Sequence, residues 1–394
     1  MRIPATFRPA YLAGVGTTPF GRHLDRSLGS LALEATDAAV ADAGRSYDDL
    51  EVVAFSNAAE GMMSGQEMIR GQVALRGTPL AGLPIYNIEN ACASGSAAAH
   101  LAWLMVASGR AEHAIAVGAE KLFHPDKSRS FGAIESGMDR SLPLDADAPQ
   151  QGSVMMGAYA AEARRYAEQF GAVEDALSTI AVKNRDFAAD NPHAQFRSPL
   201  TLDDVAASRD VALPLRLLTC SPLSDGAAAI VFSAERPDGV RPAVFVGAAE
   251  SVSHAAAADP VVARATRAAY DATGLSVNDI DVFQLHDASA FAELVQYEQV
   301  GIAEPGKSIS AVLEGRTARG GRYPVNTDGG LLSRGHALGA TGLAQLSELV
   351  RQLRGEAGGR QVEGARRALS VNSGGWMGDD YATAFATLLV RDRA

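Results

Sequence analysis

The chain has little cysteine and no long hydrophobic run. Two of its 394 residues are cysteines, Cys92 and Cys220, which is too few for a disulfide framework and favours a reducing compartment. No apolar run reaches the roughly eighteen residues of a transmembrane helix, and Met1 to Pro9 is not followed by the apolar segment of a signal peptide. We therefore expect a cytoplasmic protein without a membrane span.

Positive charge is also scarce. The chain has 35 lysines and arginines against 46 aspartates and glutamates, a net charge of −11, and no basic run, which argues against nucleic-acid binding. An anionic small ligand would need a local basic patch. Lys183, Arg185, Arg197 and Arg216 are candidates for it, although scattered surface charges are the simpler interpretation.

Cys92 lies in a segment of small residues, Glu89-Asn90-Ala91-Cys92-Ala93-Ser94-Gly95-Ser96. The pattern predicts a short buried strand over Pro84 to Ile88 and a helix over Ala97 to Gly109. At such a strand-to-helix turn, free N–H groups and the helix dipole favour a thiolate over a thiol. A nucleophile and an inert buried thiol are both open interpretations at this point.

The chain contains an internal repeat. Eight residues recur 230 positions later, identical and without a gap: Ala35, Thr36, Ala38, Ala39, Gly44, Ser46, Asp49 and Val52 match Ala265, Thr266, Ala268, Ala269, Gly274, Ser276, Asp279 and Val282. His336-Ala337-Leu338-Gly339 opens a predicted helix 244 positions after Cys92. If the two halves pack around a pseudo-twofold axis, these helix starts meet and the thiol lies beside the imidazole, as a Cys–His nucleophile requires.

The order of predicted elements indicates an α/β protein with two related halves. Residues 1–120 with 225–238 are expected to form the first half, and residues 239–394 the second. Residues 121–224 fit neither repeat and are interpreted as an insertion that covers the site.

Three motifs together resemble the thiolase superfamily. They are Asn90 to Gly95 for the nucleophile, Ser221 to Ala229 beside the coenzyme A tail, and Gly335 to Gly342 for the activating histidine. The resemblance covers nearly the whole chain. It implies the thiolase fold, in which two duplicated α/β halves form a helix-sheet-helix-sheet-helix sandwich of five layers with an inserted loop domain.

Two further motifs narrow the resemblance. His286-Asp287 is similar to the sterol-carrier-protein thiolases, in which a histidine replaces the asparagine of ordinary thiolases. Asn326-Thr327-Asp328-Gly329-Gly330 resembles a bacterial and archaeal branch that works with a small OB-fold and zinc-ribbon partner. The resemblance also implies a homodimer, an acyl-CoA or other thioester as substrate, and neither a metal nor a permanently bound cofactor.

The resemblance implies a role for each site residue. Cys92 would attack the thioester after His336 takes its proton, and His286 would stabilise the enolate or acceptor oxygen. The backbone N–H groups of Cys92 and Gly374 would bind the oxyanion. Supporting roles are implied for Asp287, Asn326 and Asn372, and substrate contacts for Ser221, Met156 and Gly339. Asp287 either orients the histidine ring or faces solvent, and Met156 lies near the acyl group or fills the core.

The sequence departs from ordinary thiolases at the second catalytic cysteine. Asn372 stands in its place, and Ala288 stands where the sterol-carrier-like branch can carry a cysteine. An amide cannot take a proton from carbon, so we expect an enzyme that moves an acyl group from Cys92 to a carbon or another nucleophilic acceptor. The alternatives are a degradative sterol-carrier-type thiolase or CoA-side-chain lyase, and a non-catalytic subunit.

Overall fold

The computed structural model describes residues 7–141, 153–237, 244–252 and 259–391. The expected boundary between the halves, at residues 238 and 239, lies outside these ranges, as does part of the expected insertion. None of the helices within them is long and apolar enough to cross a membrane.

Nine strands follow one another in a continuous order, β3-β2-β4-β7-β1-β8-β11-β10-β9, and β5 and β6 form a separate pair. The strands are β1 (Tyr11–Thr17), β2 (Val52–Ser56), β3 (Ile85–Ile88), β4 (His113–Glu120), β5 (Asp210–Ala212), β6 (Leu215–Arg216), β7 (Gly226–Ser233), β8 (Val244–Val252), β9 (Val282–Gln284), β10 (Arg367–Gly374) and β11 (Thr383–Arg391). A pairing of Tyr11 with Phe245 joins the two halves of this order.

The helices lie between and over the strands. They are α1 (Leu28–Ala43), α2 (Glu60–Ser64), α3 (Arg70–Ala74), α4 (Ser94–Ala107), α5 (Lys127–Glu135), α6 (Val154–Phe170), α7 (Glu174–Ala189), α8 (Leu202–Ala207), α9 (Val261–Thr273), α10 (Ala290–Gln299), α11 (Ser308–Leu313), α12 (Gly330–Ser333) and α13 (Leu338–Arg354).

Alternating strand side chains show that helices cover both faces of the strands in each half of the chain. In β4, Ala114 and Ala116 pack in the cluster that holds α4 and α13, whereas Ile115 and Val117 pack in the cluster that holds α1. In the second half, Val282 faces the central helices and Phe283 faces the outer layer of α6, α7, α9 and α10. Successive residues of a strand point to opposite faces. The five-layer α/β architecture implied by the resemblance is confirmed.

The two halves have the same strand order. In the first half, β2 pairs in parallel with both β3 and β4. In the second, β9 pairs in parallel with β10 and, through Phe283, with Val325. The helix ends also correspond, because Gly44 and Gly274 both end their helices in the left-handed region, with φ of 62° and 70°. The internal repeat is therefore a repeat of structure.

The starts of α4 and α13 pack against each other at the centre of the molecule. A Cβ at Gly342 would lie 2.4 Å from the backbone nitrogen of Ser96 and 2.3 Å from its hydroxyl oxygen. Only a residue without a side chain permits this approach, which brings the segments before the two helices together.

Two expectations about the first half and the insertion are wrong. The strand before Cys92 is not buried, because Tyr86 and Asn87 are exposed on β3 at the edge of the sheet. Lys183 and Arg185 are not scattered surface charges, because both are buried on α7. Burial of charged groups requires partners, which Glu293 provides for Lys183 and Ser333 for Arg185.

Candidate active site

Cys92 is presented by a strained turn before α4. Ala91, the preceding residue, has φ of 48°, in a region that residues with a side chain rarely adopt. The Ser94 hydroxyl stabilises the turn, since it accepts from the Asn90 N–H at 2.9 Å and donates to the Ala91 carbonyl at 2.6 Å. Such strain persists only where the surroundings enforce it, and here it leaves Cys92 half-buried at the head of the helix.

His336 precedes α13, and its ring is oriented by Thr341. The ring nitrogen Nδ1 lies 2.8 Å from the Thr341 hydroxyl oxygen, and that hydroxyl donates its proton to the Ala337 carbonyl at 3.0 Å. Because a hydroxyl has one proton to donate, Thr341 must accept from Nδ1–H of His336. The other ring nitrogen, Nε2, then carries a lone pair, and it has no hydrogen-bond partner among the described residues.

His286 follows β9 and is held in the opposite tautomer. Its backbone is fixed by the Gln296 side chain, which accepts from the His286 N–H at 3.1 Å and donates to its carbonyl at 2.7 Å. The Asn372 amide nitrogen lies 3.1 Å from Nδ1 and donates to it. Nε2 of His286 therefore carries the proton, and within the described part of the chain it too has no partner.

The structure brings these three side chains together. The Cys92 sulfur and one ring nitrogen from each of His286 and His336 all lie within 4.8 Å of one another. The two imidazole rings meet edge to face with centroids 5.4 Å apart. Thiolate and imidazole are also zinc ligands, so in the described ranges this is the group that could hold a metal ion. The absence of a metal stays a prediction.

All three groups are neutral in this environment. Burial, then the Glu120 carboxylate, raises the pKa of the Cys92 thiol to about 12. Burial, then the positive charge of Arg334, lowers the pKa of His286 to about 3, and burial together with His286 and Arg334 lowers the pKa of His336 well below its usual value. The expectation that the helix start favours a thiolate is wrong, because loss of solvation outweighs the helix dipole. A base must therefore remove the thiol proton as the sulfur attacks.

Glu120 is buried beneath the site and connects the two halves. Its carboxylate accepts from the Asn57 amide and from the N–H groups of Ala58, Ala59 and Gly339. Burial raises the pKa of Glu120 to about 7, while the three backbone donors act to lower it. Glu120 thus fixes the start of α13, and with it His336.

Gly374 lies against the turn that carries Cys92. A Cβ on Gly374 would approach the Asn90 carbonyl oxygen to 2.2 Å and the Ala93 nitrogen to 2.6 Å. The end of β10 therefore packs backbone to backbone against the nucleophile turn. This is the arrangement that an oxyanion site built from main-chain N–H groups needs.

Asp287 and Asn326 support the loop that carries His286. Asp287 is buried and accepts from Leu331 N–H at 2.7 Å, from Leu332 N–H at 3.1 Å and from the Asn184 amide at 2.8 Å. Neither interpretation of Asp287 holds, because it does not face solvent and its hydrogen bonds go to these groups, whereas Asn372 orients the ring. Asn326, with φ of 59°, accepts from Leu285 N–H at 2.9 Å.

A cavity of about 220 Å³ opens at the cysteine. Ser221 and Met156, for which substrate contacts stay a prediction, line it. Gly339 does not, because its N–H binds Glu120 and its carbonyl accepts from the Ser56 hydroxyl at 2.7 Å inside the protein. The cavity is lined by Cys92, Leu122, Phe131, Ile134, Ser153, Met155, Met156, Tyr159, Arg209, Val211, Leu217, Cys220, Ser221, Pro222, Leu223, His286, Ala288, His336, Leu338, Ser373, Gly374, Gly375 and Tyr381.

Several residues of the site were not predicted from the sequence. Thr341 could have been found, because it lies in the first turn of the helix that the His336 motif opens. Tyr159 and Tyr381 carry no comparable signal. Tyr159 lies in α6, a helix of ordinary composition, and Tyr381 lies in the turn between β10 and β11.

Comparison with known proteins places this geometry in context. Residues 11–236 match the family model described as thiolase, N-terminal domain, and residues 226–387 match the one described as thiolase C-terminal domain-like. The chain is 36% identical over 381 residues to the acetyl-CoA acetyltransferase of Methanothermobacter thermautotrophicus, with 93% of this chain and 97% of that protein covered. It is 35% identical over 404 residues to sterol carrier protein 2 of Homo sapiens, with 94% of this chain and 71% of that protein covered.

A solved structure shares the architecture. The Ltp2-ChsH2(DUF35) aldolase superposes with a TM-score of 0.79 at 25% identity, and the match covers 99% of this chain and 100% of that one.

Proposed function

Because the chain belongs to the thiolase family, in its sterol-carrier-protein-type branch, we propose that it forms an acyl-enzyme on Cys92 from an acyl-CoA or another thioester and passes the acyl group to a carbon or other nucleophilic acceptor. The observation that carries the proposal is the meeting of one thiol with two imidazoles held in opposite tautomers. One imidazole offers a lone pair to the thiol and the other offers a proton to an oxygen.

In the first half-reaction, Nε2 of His336 takes the Cys92 proton while the sulfur attacks the thioester carbon. The thioester oxygen moves toward the main chain of Cys92 and Gly374, where N–H donors stabilise the developing charge. The departing CoA thiolate receives the proton from the His336 imidazolium. Because the thiol has a raised pKa of about 12, the proton transfer to His336 is essential to this step.

In the second half-reaction, the acceptor attacks the acyl-enzyme while Nε2–H of His286 donates to its carbonyl or enolate oxygen. Asn372 supports this role, because its donated hydrogen bond at Nδ1 keeps the His286 proton on Nε2. Ser221 and Met156 line the approach to the sulfur, in agreement with substrate-binding roles. The thioester is the substrate in this scheme, and no permanently bound cofactor takes part.

The test is acylation of the protein by a thioester. We expect incubation with acetyl-CoA or octanoyl-CoA to raise the intact mass by one acyl group, and Cys92→Ala to abolish the increase. Cys220→Ala is the matched control, because that thiol lines the same cavity, and it should still be acylated. Absence of an adduct with short, medium and carrier-bound donors would overturn the proposal.

A second candidate is a lyase that cleaves a carbon–carbon bond without an acyl-enzyme. The similarity to the aldolase structure favours it, together with Asn372 at the place where ordinary thiolases carry a cysteine. If Cys92→Ala retains cleavage of a CoA-bound side chain, the lyase is correct. If Cys92→Ala and His336→Asn both retain full activity in an assembled complex, the chain is a non-catalytic subunit.

We also propose a partner and a setting. The name of the aldolase structure contains a second component, ChsH2(DUF35), and this supports the expectation of a partner subunit for the present chain, which we propose to be a small OB-fold and zinc-ribbon protein. A homodimer is the expected assembly of the chain itself, and light scattering with and without the partner tests both. Two free cysteines agree with the cytoplasm.

A further inference from the structure

Carbon–carbon chemistry at this site requires a group that gives a proton to carbon. When a β-ketoacyl thioester is cleaved, the departing α-carbon carries an electron pair and must be protonated. His336 holds the thiol proton and His286 binds the enolate oxygen, while the Asn372 amide cannot serve as an acid. Apart from serine hydroxyls and the Arg209 guanidinium, which give up a proton far less readily, the cavity contains three further groups with a transferable proton, namely Cys220, Tyr159 and Tyr381.

Cys220 is not positioned to protonate the α-carbon. Its sulfur hydrogen-bonds to the Arg216 carbonyl at 3.3 Å, four residues earlier in the same segment. Its backbone pairs with Ser289, beyond the His286 loop. The Cys220 thiol is therefore engaged with the wall of the cavity.

Tyr381 is held beside the reacting groups. Its ring meets the His286 ring edge to face, with centroids 5.9 Å apart and an interplanar angle of 88°, and it packs on Trp376 at 5.3 Å. Asp380 fixes the backbone, since one carboxylate oxygen accepts from Tyr381 N–H and the other from Val261 N–H, both at 2.8 Å. The side chain is 6% exposed and lines the cavity together with Cys92.

Tyr159 packs beside Tyr381 in the same cavity, with ring centroids 6.2 Å apart. Burial is the largest cause that raises the pKa of both phenols, while Tyr159 acts to lower that of Tyr381. Tyr381 therefore keeps its proton and can give it to a substrate in the cavity. The neighbouring Tyr159 hydroxyl can donate to the phenolate that proton transfer leaves behind.

We propose that Tyr381 is the catalytic acid and base of the carbon–carbon step, in the place of the missing cysteine. This inference rests on the proposed function. In the cleavage direction, the Cys92 sulfur forms a bond to the ketone carbon and the bond to the α-carbon breaks. The electron pair of that bond takes the Tyr381 proton, while the enolate oxygen is bound by His286. The His336 imidazolium then returns a proton to the phenolate across the cavity that both residues line.

Release of the acyl group returns Cys92 and His336 to their starting protonation states. An incoming thiol, coenzyme A in the test below, gives its proton to His336 and attacks the acyl-enzyme, and the Cys92 thiolate leaves and recovers that proton. In the synthetic direction every step reverses, and the phenolate removes the α-proton of the acceptor. Acylation by a simple acyl-CoA therefore uses Cys92 and His336 but not Tyr381.

The experiment separates the two half-reactions. Acylation is measured as adduct formation with octanoyl-CoA, and the carbon step as CoA-dependent cleavage of 3-oxooctanoyl-CoA. We expect Tyr381→Phe to slow cleavage about 100-fold or more while acylation stays within about twofold of the unchanged protein. Retained acylation also shows that the variant is folded. Tyr159→Phe should slow cleavage about tenfold with acylation retained, and Cys220→Ala should change neither rate.

The outcomes distinguish this inference from the function on which it rests. Cleavage by Tyr381→Phe at an unchanged rate, or loss of cleavage in Cys220→Ala, would overturn the role of Tyr381. Loss of acylation and cleavage together in Tyr381→Phe would assign it a structural role and overturn it also. An unchanged protein that is acylated but cleaves no 3-oxoacyl-CoA would overturn it while acyl transfer stands. Failure of the unchanged protein to be acylated would instead remove the proposed function.

Discussion

Equivalent strand ends in the two halves carry different side chains. His286, after β9, corresponds to Ser56 at the end of β2, and Asn372 in β10 corresponds to Gly118 in β4. In the first half the start of α13 sits directly on the strands, because the Ser56 hydroxyl donates to the Gly339 carbonyl oxygen and a Cβ at Gly118 would lie 2.2 Å from that oxygen. In the second half an imidazole and an amide fill the equivalent space beside Cys92.

The helix starts differ in the same way. Cys92 and His336 are equivalent, and five residues later Ala97 corresponds to Thr341. A thiol needs no orienting partner, whereas an imidazole needs one to fix its tautomer, and Thr341 supplies it. The two copies of the duplicated unit therefore have different chemical roles. The first half provides the nucleophile and, at Ser56 and Gly118, the surface on which α13 packs. The second half provides the groups that move protons.

Removal of the base, His336, should have the largest effect on the rate of acylation. His336→Asn keeps a polar side chain of similar reach but offers no ring lone pair to the Cys92 thiol. We expect the rate of acylation to fall about 10³-fold, measured by rapid-quench intact mass with octanoyl-CoA. His124→Asn, which changes a half-buried histidine outside the cavity, should leave the rate unchanged. Equal rates in the two variants would show that His336 is not the base.

The carboxylate below α13 should give stability a pH dependence. Glu120 in β4 corresponds to Gly374 in β10, so the charge is present in one half alone. Its folded pKa is raised from 4.5 to about 7, so its contribution is fully present below pH 4.5 and is lost as the pH rises through about 7. From pH 4.5 to pH 8, we expect the free energy of unfolding to fall by about 3 kcal/mol more in the unchanged protein than in Glu120→Gln.

Urea unfolding at several pH values measures this difference. The comparison is made between the two proteins at each pH, so that titration of other groups cancels. A difference that stays constant across the range, or one that grows with pH in favour of the unchanged protein, would contradict the expected sign.

The packing of α13 on the strands of the first half can be changed without altering a residue of the cavity. Gly118→Ala places a methyl group against the Gly339 carbonyl oxygen, which must move. We expect a loss of about 2 to 3 kcal/mol in the free energy of unfolding. Gly132→Ala is the matched control, because a Cβ there has no neighbour closer than 4.0 Å and the residue lies in a helix. It should stabilise the protein by about 0.5 to 1 kcal/mol, and equal effects of the two variants would mean that α13 can shift at no cost.

The sequence predicts the parts of this molecule that depend on local patterns. The apolar spacing over Ala97 to Gly109 and the repeated Gly44 and Gly274 locate α4 and the ends of α1 and α9, because each follows from the geometry of a single element. The equivalence of Cys92 and His336 predicts their meeting, since a repeat carries spatial information across 244 residues. The cavity could be assigned its nucleophile and base in this way.

The remaining parts depend on contacts between distant elements. The lowered proton affinity of the histidines and the raised pKa of Cys92 arise from burial and from Arg334 and Glu120, which no local pattern places near the sulfur. The contact of Tyr381 with His286 joins a turn to a strand end that lies 95 residues earlier in the chain. Such environments become known only when the elements are packed.

The smallest expected effect concerns the tautomer of His336, the feature that most clearly separates the two helix starts. Thr341→Val keeps the shape of the side chain but removes the acceptor for Nδ1–H, so the proton can move to Nε2 and the lone pair no longer faces Cys92. A supporting hydrogen bond of this kind contributes about 0.5 to 1.5 kcal/mol, and we expect a loss near tenfold in acylation because the ring stays in place. Thr341→Ser retains the hydroxyl and should acylate at nearly the unchanged rate. If the Val and Ser variants are acylated at equal rates, packing alone orients His336. The two helix starts would then differ in function only through Cys92 and His336 themselves.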